Sequence, residues 1–298
     1  MIEETICDLC GQSTFTTIYK GNIQTDDDGL TYFSSSREKA GHWPIVKCNH
    51  CGLHRSNPRD NQETLRAIYE QLEDEIYDEE DENRAYIALK RIKQINRLQK
   101  VGRLLDIGCS SGIFAHQAAL TGWGVTGIDP SLWAITQAKN RYPEGNYVVS
   151  SIEDANFPPD VFTLITLWDV LEHVSSPTET LQKINPWLAN GGFVVLNVPD
   201  INSLIARVMK DKWVMLLREH LWYFSPKTMT QLLQKTGFEV ISIKFNKVRF
   251  SLKNIFTRIS QYPSLKFLRP LSRLPGMQKI SINFSIGEMQ IYARKSSQ

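Results

Sequence analysis

From Val101 onward, apolar and polar positions alternate in blocks. Apolar runs at 103–107, 124–128, 147–149, 162–167 and 193–198 are each long enough for a buried strand, and helix-like spacings, such as 113–120, fill the gaps between them. A last strand is expected at 287–294. Repeated strand–helix–strand units predict an α/β fold, a doubly wound parallel sheet of Rossmann-like type. Upstream, LRAIYEQL and YIALKRIKQINRL place apolar residues three and four apart, which predicts helices within 64–99. Residues 1–60 lack either rhythm and end in LHRSNPRDN, a turn-forming connection. Three parts follow: a small module over 1–60, which the paired cysteines Cys7, Cys10, Cys48 and Cys51 would make zinc-ribbon-like, a helical lead-in over 61–100 and a large domain over 101–298. The last carries lid-like insertions at about 200–225 and 247–285.

Composition narrows the class. The 298 residues are 42% hydrophobic with a formal net charge of +2, which suits a globular chain with no overall attraction to nucleic acid. The start, MIEETICDLCG, shows no basic end followed by an apolar run, and a cytoplasmic location is expected. The charge is unevenly spread. EQLEDEIYDEEDE at 70–82 has nine acids and reads as a solvated linker, whereas 240–287 has nine Lys or Arg and no acid. Within that basic stretch, 244–279 interleaves apolar residues, with partly helical spacing from Phe250 to Ile259 and prolines at 263, 270 and 275. It is expected to pack its apolar side on the core. Its alternative role is to guide an anionic substrate or touch an anionic membrane surface.

Four of the five cysteines form two pairs, CDLC (Cys7, Cys10) and CNHC (Cys48, Cys51), each followed by glycine. Two CxxC turns supply the four thiolates of a closed tetrahedral zinc site, which leaves no open position for chemistry and so implies a structural ion.

The turn DIGCSSG after the first large-domain strand has small residues where a ligand can approach the backbone. The order GCSSG is not the GxGxxG of a pyrophosphate reader. Asp106 would repel a phosphate but suits an ammonium group, and Asp129, ending the second strand in GVTGIDPS, can accept both hydroxyls of a ribose.

These residues resemble the motifs of class I S-adenosylmethionine-dependent methyltransferases: LLDIGCSSG the first, GIDPS the second, SIEDANF at 151–157 the adenine-contacting segment and LWDVLEHV at 167–174 the fourth. The resemblance implies cofactor contacts at Asp106, Gly108, Cys109, Ser110, Gly112, Asp129, Pro130, Ile152, Glu153 and Trp168. Asp106 and Gly108 would take the methionine end, Asp129 the ribose, and Ile152 with Glu153 the adenine. The paired CxxC turns ahead of this core resemble a methyltransferase-23-like subgroup that includes sugar C-methyltransferases. In those sugar enzymes an HEH-type element supplies the base, and here REHLWYFS keeps His220, Tyr223 and Ser225 with Arg218 in place of the first histidine.

Methyl transfer to a hydroxyl or carbon acid requires a proton to leave, which points to His220 and His173 as catalytic candidates. Asp169, Glu172 and His173 also follow a D-x-x-E-H order similar to the E-x-x-E-H of ubiquinone-pathway and small-RNA methyltransferases that use a divalent ion. Asp169 is therefore a third candidate. The substrate expected is small or carrier-linked and polar, such as a sugar. Alternatives are a metal-assisted O-methyltransferase, a zinc-bearing RNA methyltransferase, which the absence of an NPPY-like motif disfavours, and a cofactor-binding protein without turnover.

Overall fold

The computed structural model describes residues 2–23, 41–71, 81–260 and 263–296. Most of the acidic run, 72–80, lies outside them. In the N-terminal part, β1 (Ile2–Glu3) pairs antiparallel with β5 (Arg59–Asp60), while β2 (Phe15–Tyr19), β3 (Ile45–Cys48) and β4 (His54–Ser56) form an antiparallel meander. Helices α1 (Gln62–Gln71) and α2 (Asp81–Ile95) follow.

The main sheet is built from β6 (Arg103–Ile107), β7 (Gly124–Asp129), β8 (Asn146–Val149), β9 (Phe162–Trp168) and β10 (Leu188–Pro199), which run parallel, and from β12 (Phe238–Ser251) and β13 (Ser281–Lys295). Its order is β12-β13-β10-β9-β6-β7-β8, with β13 antiparallel to both neighbours. Leu104, Leu105, Leu164, Ile165, Val194 and Leu196 are fully buried, because central parallel strands are covered on both faces and need apolar side chains on each. The sequence reverses direction of winding between β6 and β9, so their carboxyl ends open the crevice where such sheets bind ligands.

The covering helices are α3 (Ile113–Ala119), α4 (Leu132–Arg141), α5 (Pro177–Ile184) and α7 (Pro226–Lys235). Ser131, Ser176 and Ser225 cap the last three, each accepting a backbone N–H of the first turn. Helix α2 buries Ala88, Ile92 and Ile95 in one cluster with Ile113, Phe114 and Ala118 of α3, which fixes it beside the turn after β6.

Two regions differ from the sequence-based expectation. The last strand begins at Ser281 rather than 287, and it pairs with β12, which extends to Ser251 inside the stretch expected to be helical from Phe250. Helix α8 (Leu252–Ile259) and a 3-10 segment, Pro263–Arg273, sit at the end of this hairpin. The insertion expected at about 200–225 contains a short helix, α6 (Leu204–Met209), and β11 (Trp222–Tyr223), and β11 pairs with β4. The small sheet, in order β11-β4-β3-β2, therefore takes one strand from beyond β10. Buried contacts fasten the two parts. Arg218 donates Nε and Nη2 to Asp60 at 2.8 and 2.9 Å, and the Asp8 carboxylate accepts from Ser176 Oγ at 2.7 Å and Thr178 N–H at 2.9 Å.

Candidate functional site

The turn after β6 needs left-handed backbone. Gly108 and Gly112 have φ of 70° and 80°, and a Cβ at Gly108 would sit 2.5 Å from Val170 Cγ2. Ser110 also has positive φ, 49°, a conformation serine adopts less readily than glycine. It is held there because its N–H donates to Asp129 Oδ2 at 3.0 Å, while Ser131 N–H donates to Asp129 Oδ1 at 2.9 Å. Burial raises the Asp129 carboxyl above its usual range, and those two amides oppose the rise.

Asp106 is buried at the end of β6. Thr166 Oγ1 donates to its Oδ1 at 2.7 Å, and its Oδ2 has no hydrogen-bond partner. Burial pushes this carboxyl up to about 7, against the Thr166 bond and the field of Arg91. A buried acceptor oxygen beside a glycine turn fits the ammonium of a methionine moiety, so these residues suit S-adenosylmethionine. Ile152 is buried past the end of β8, where Ser150 N–H donates to the Asp129 carbonyl at 3.0 Å. Pro130 is half-buried beside Asp129, whereas the Glu153 side chain is exposed. Cys109 is buried at 5% exposure. Its side chain turns inward to a cluster with Ala115, Ile135, Ala138 and Tyr147, so it packs the turn from beneath. Arg91 of α2 was not signalled by any motif. Its guanidinium lies 4.1 Å over the Trp168 ring, at the edge of the cofactor crevice.

Across the crevice the structure brings Glu172, His173 and His220 together, each offering a ligand atom within 4.8 Å of the others. The two imidazoles meet edge to face, with centroids 4.7 Å apart. His173 Nδ1 lies 3.0 Å from the Glu219 carbonyl and His220 Nδ1 2.9 Å from the Met215 carbonyl. A carbonyl can only accept, so both Nδ1 atoms carry hydrogen. Glu172 is fully buried and neither carboxylate oxygen has a hydrogen-bond partner. Burial, then the charges of Asp169 and Glu288, drive its carboxyl well above the usual range. Asp169 is not part of this cluster. It is exposed at the end of β9 with φ 56°, and its Oδ1 accepts from Asn197 Nδ2 at 2.6 Å; the same amide donates to Glu288 at 3.0 Å.

His220 is positioned from the N-terminal part. Its carbonyl accepts from Ser56 Oγ at 2.9 Å, and the Leu221 carbonyl accepts from Ser56 N–H at 2.9 Å. Tyr223 and Ser225, the other matches of the REHLWYFS stretch, are both buried: the Tyr223 hydroxyl lies 3.3 Å from the Leu217 carbonyl, and Ser225 caps α7.

The four N-terminal cysteines converge as free thiols, Cys7 Sγ 3.4 Å from Cys51 Sγ and Cys10 Sγ 3.5 Å from Cys48 Sγ. All four sulfurs lie within 4.8 Å of one another. A tetrahedron with metal–sulfur bonds of about 2.3 Å has edges of about 3.8 Å, so the donor set fits a closed zinc site. Burial opposes ionisation of Cys48, but the amides of Cys51 and His50 together with the Cys10 and Cys51 thiols bring it down to about 6. Buried Arg55, which no motif signalled, places its cation in the field of all four sulfurs.

Fold and site together define a class I S-adenosylmethionine-dependent methyltransferase. Residues 77–243, more than half of the chain, match a family model described as a methyltransferase domain, and the chain belongs to that family. It is 28% identical over 153 residues to a ubiquinone biosynthesis O-methyltransferase of Vibrio atlanticus, a match spanning 47% of this chain and 65% of that one. It is 34% identical over 118 residues to the mitochondrial enzyme of the same description from Schizosaccharomyces pombe, spanning 36% and 41%. The chain thus spans less than two thirds of the length of these two relatives. A solved structure from Thermotoga maritima, described as an S-adenosylmethionine-dependent methyltransferase and possible histamine N-methyltransferase, superimposes with a TM-score of 0.52 over 78% of this chain and all of that one. At 18% identity this likeness is one of fold.

Proposed function

We propose that the chain methylates a hydroxyl oxygen of a small or carrier-linked polar substrate, with Glu172, His173 and His220 holding a divalent ion beside the acceptor. The observation that carries this reading is the convergence of His173 and His220 on the buried carboxyl of Glu172, whose oxygens have no hydrogen-bond partner. Two imidazoles and a carboxylate suit a divalent ion, whose charge would hold Glu172 ionised against its burial. Bound there, a divalent ion would orient the acceptor oxygen and lower its pKa. Asp106 and Asp129 would hold the ammonium and ribose of S-adenosylmethionine, which supplies the electrophilic methyl group. The likeness to ubiquinone-pathway O-methyltransferases supports oxygen as the acceptor atom. A second reading, with His220 as general base toward a sugar, draws on the separation of Asp169 from the cluster, which leaves three ligands instead of four. We also infer that Cys7, Cys10, Cys48 and Cys51 share one structural zinc.

Calorimetric titration of Mn²⁺ into protein loaded with S-adenosylhomocysteine tests the first reading, alongside transfer of labelled methyl groups to catechols and to nucleotide sugars. Saturable binding of one Mn²⁺, lost in Glu172→Gln, with metal-dependent catechol methylation is expected. Nucleotide-sugar methylation unaffected by chelator, with the zinc content unchanged, would replace it by the general-base reading.

A further inference from the structure

Two exposed surfaces combine apolar and basic side chains, and they meet at Gly287. The first is helix α6 and the turn after it. Leu204 and Val208 are 79% and 71% exposed, and residues four apart stand on one face of a helix. Arg207, Lys210 and Lys212 beside them are also exposed, with Asp211 the one acid. The second is the hairpin arm. Strand β13 pairs with β10 only as far as Glu288, yet its pairing with β12 continues from Phe284 to Ser281, so the hairpin runs on past the sheet. Phe267 is 72% exposed on this arm and Phe245, on β12 just before it, 63%, with Lys247, Arg269, Arg273 and Lys279 exposed among them. The apolar residues of α8 contrast with these: Leu252, Ile255 and Phe256 are half-buried, so the helix has its packing partners already.

The two surfaces are joined rigidly. Trp213 Nε1 donates to the Ile286 carbonyl at 2.8 Å and Asp200 N–H to the Gly287 carbonyl at 2.7 Å. A Cβ on Gly287 would lie 2.4 Å from Ser203 Oγ and 2.9 Å from Ile205.

We propose that α6 and the β12–β13 arm form a docking surface for an anionic lipid bilayer. Charge complementarity selects the partner. Nine cations without an acid across 240–287 call for a polyanion, and large aromatic and aliphatic side chains among them call for one with an apolar layer beneath its charge. A nucleic acid would satisfy the cations and leave Leu204, Val208 and Phe267 in water. Among the described residues no helix is long and apolar enough to cross a membrane, so the contact is peripheral. It is independent of the acceptor chemistry proposed above. The surface adjoins Glu288 and Asp200 at the acceptor side of the sheet, where a substrate carried in a bilayer would enter.

Vesicle sedimentation of the full chain tests this, using pure phosphatidylcholine and equal parts phosphatidylcholine and phosphatidylglycerol. Sedimentation with anionic vesicles at low salt is expected, and Lys247→Glu/Lys279→Glu should weaken it by at least about tenfold, since each cation near such a surface adds about 1 kcal/mol. Leu204→Ser/Val208→Ser should weaken it several-fold at every salt concentration. Affinity for S-adenosylhomocysteine reports the folding of each variant, and Arg269→Glu/Arg273→Glu replaces the lysine pair if that pair fails it. No sedimentation, equal sedimentation with both vesicle types, or indifference to both classes of variant would overturn the proposal. So would a wild-type chain that shifts duplex RNA at the same salt and ignores vesicles.

Discussion

His173 and His220, 46 residues from their carbonyl partner and 5 residues from theirs respectively, present their imidazoles to each other edge to face at 4.7 Å. One is carried by the turn after β9, the other by the segment leading into β11. Neither element alone makes the pair. Replacing either histidine by alanine should therefore lower kcat by about a hundredfold or more, through loss of the bound ion in the first reading or, for His220, of the proton acceptor in the second. Binding of S-adenosylmethionine should stay within about twofold, because the cofactor side is built from β6 and β7. Calorimetry beside steady-state kinetics separates the two effects.

Asp106 gives a pH dependence with a definite sign. Its carboxyl titrates near 7 in the folded chain, well above the ordinary value of 3.8. The folded chain therefore holds a proton that the unfolded chain has released, and the cofactor-free protein loses stability as pH rises from about 4 to 7. An ammonium ligand prefers the ionised carboxylate. Cofactor affinity should rise by up to about tenfold per pH unit between pH 5 and 7. Asp106→Asn should flatten that dependence, measured by calorimetry across the range.

Asp129 braces two amides and is expected to hold the ribose. Asp129→Ala should weaken S-adenosylmethionine binding by about 1–3 kcal/mol, the scale of a lost charged hydrogen bond. Unchanged affinity would remove Asp129 from the cofactor site.

Arg218 and Asp60 form a buried ion pair, 158 residues apart in sequence. Arg218→Ala should destabilise the chain by about 3–5 kcal/mol by leaving a buried carboxylate without its counter-ion, held only by the Trp43 Nε1 hydrogen bond at 2.9 Å. The double variant Asp60→Asn/Arg218→Met should recover most of that loss in urea unfolding.

The parallel strands were legible because β6, β9 and β10 are apolar on both faces, a pattern that needs no partner to be recognised. The turn that carries Asp106 and Gly108, and its contact with Asp129, was legible for a related reason, because they belong to a local strand–turn–helix signature. Strand β12 was not, because KFNKVRFS alternates charge and apolar residues at an edge and reads equally as a basic surface segment. Strand β11 has only two residues, too few for any period. Arg91 and Arg55 carry no motif, and their roles arise from helix and sheet packing across distant segments. Asp169 was read with Glu172 and His173 from spacing, but its left-handed backbone turns it toward Asn197.

The strand contributed to the small sheet from residues 222–223 bears on how such a chain can be recombined. A version beginning at residue 61 would leave Trp222 and Tyr223 on an unpaired edge and Arg218 as a buried cation without its counter-ion. Grafting the first 60 residues onto another methyltransferase would likewise lack the segment that closes their sheet. The N-terminal module is thus inherited as a set with residues 218–223, and substitutions in one should be matched by substitutions in the other.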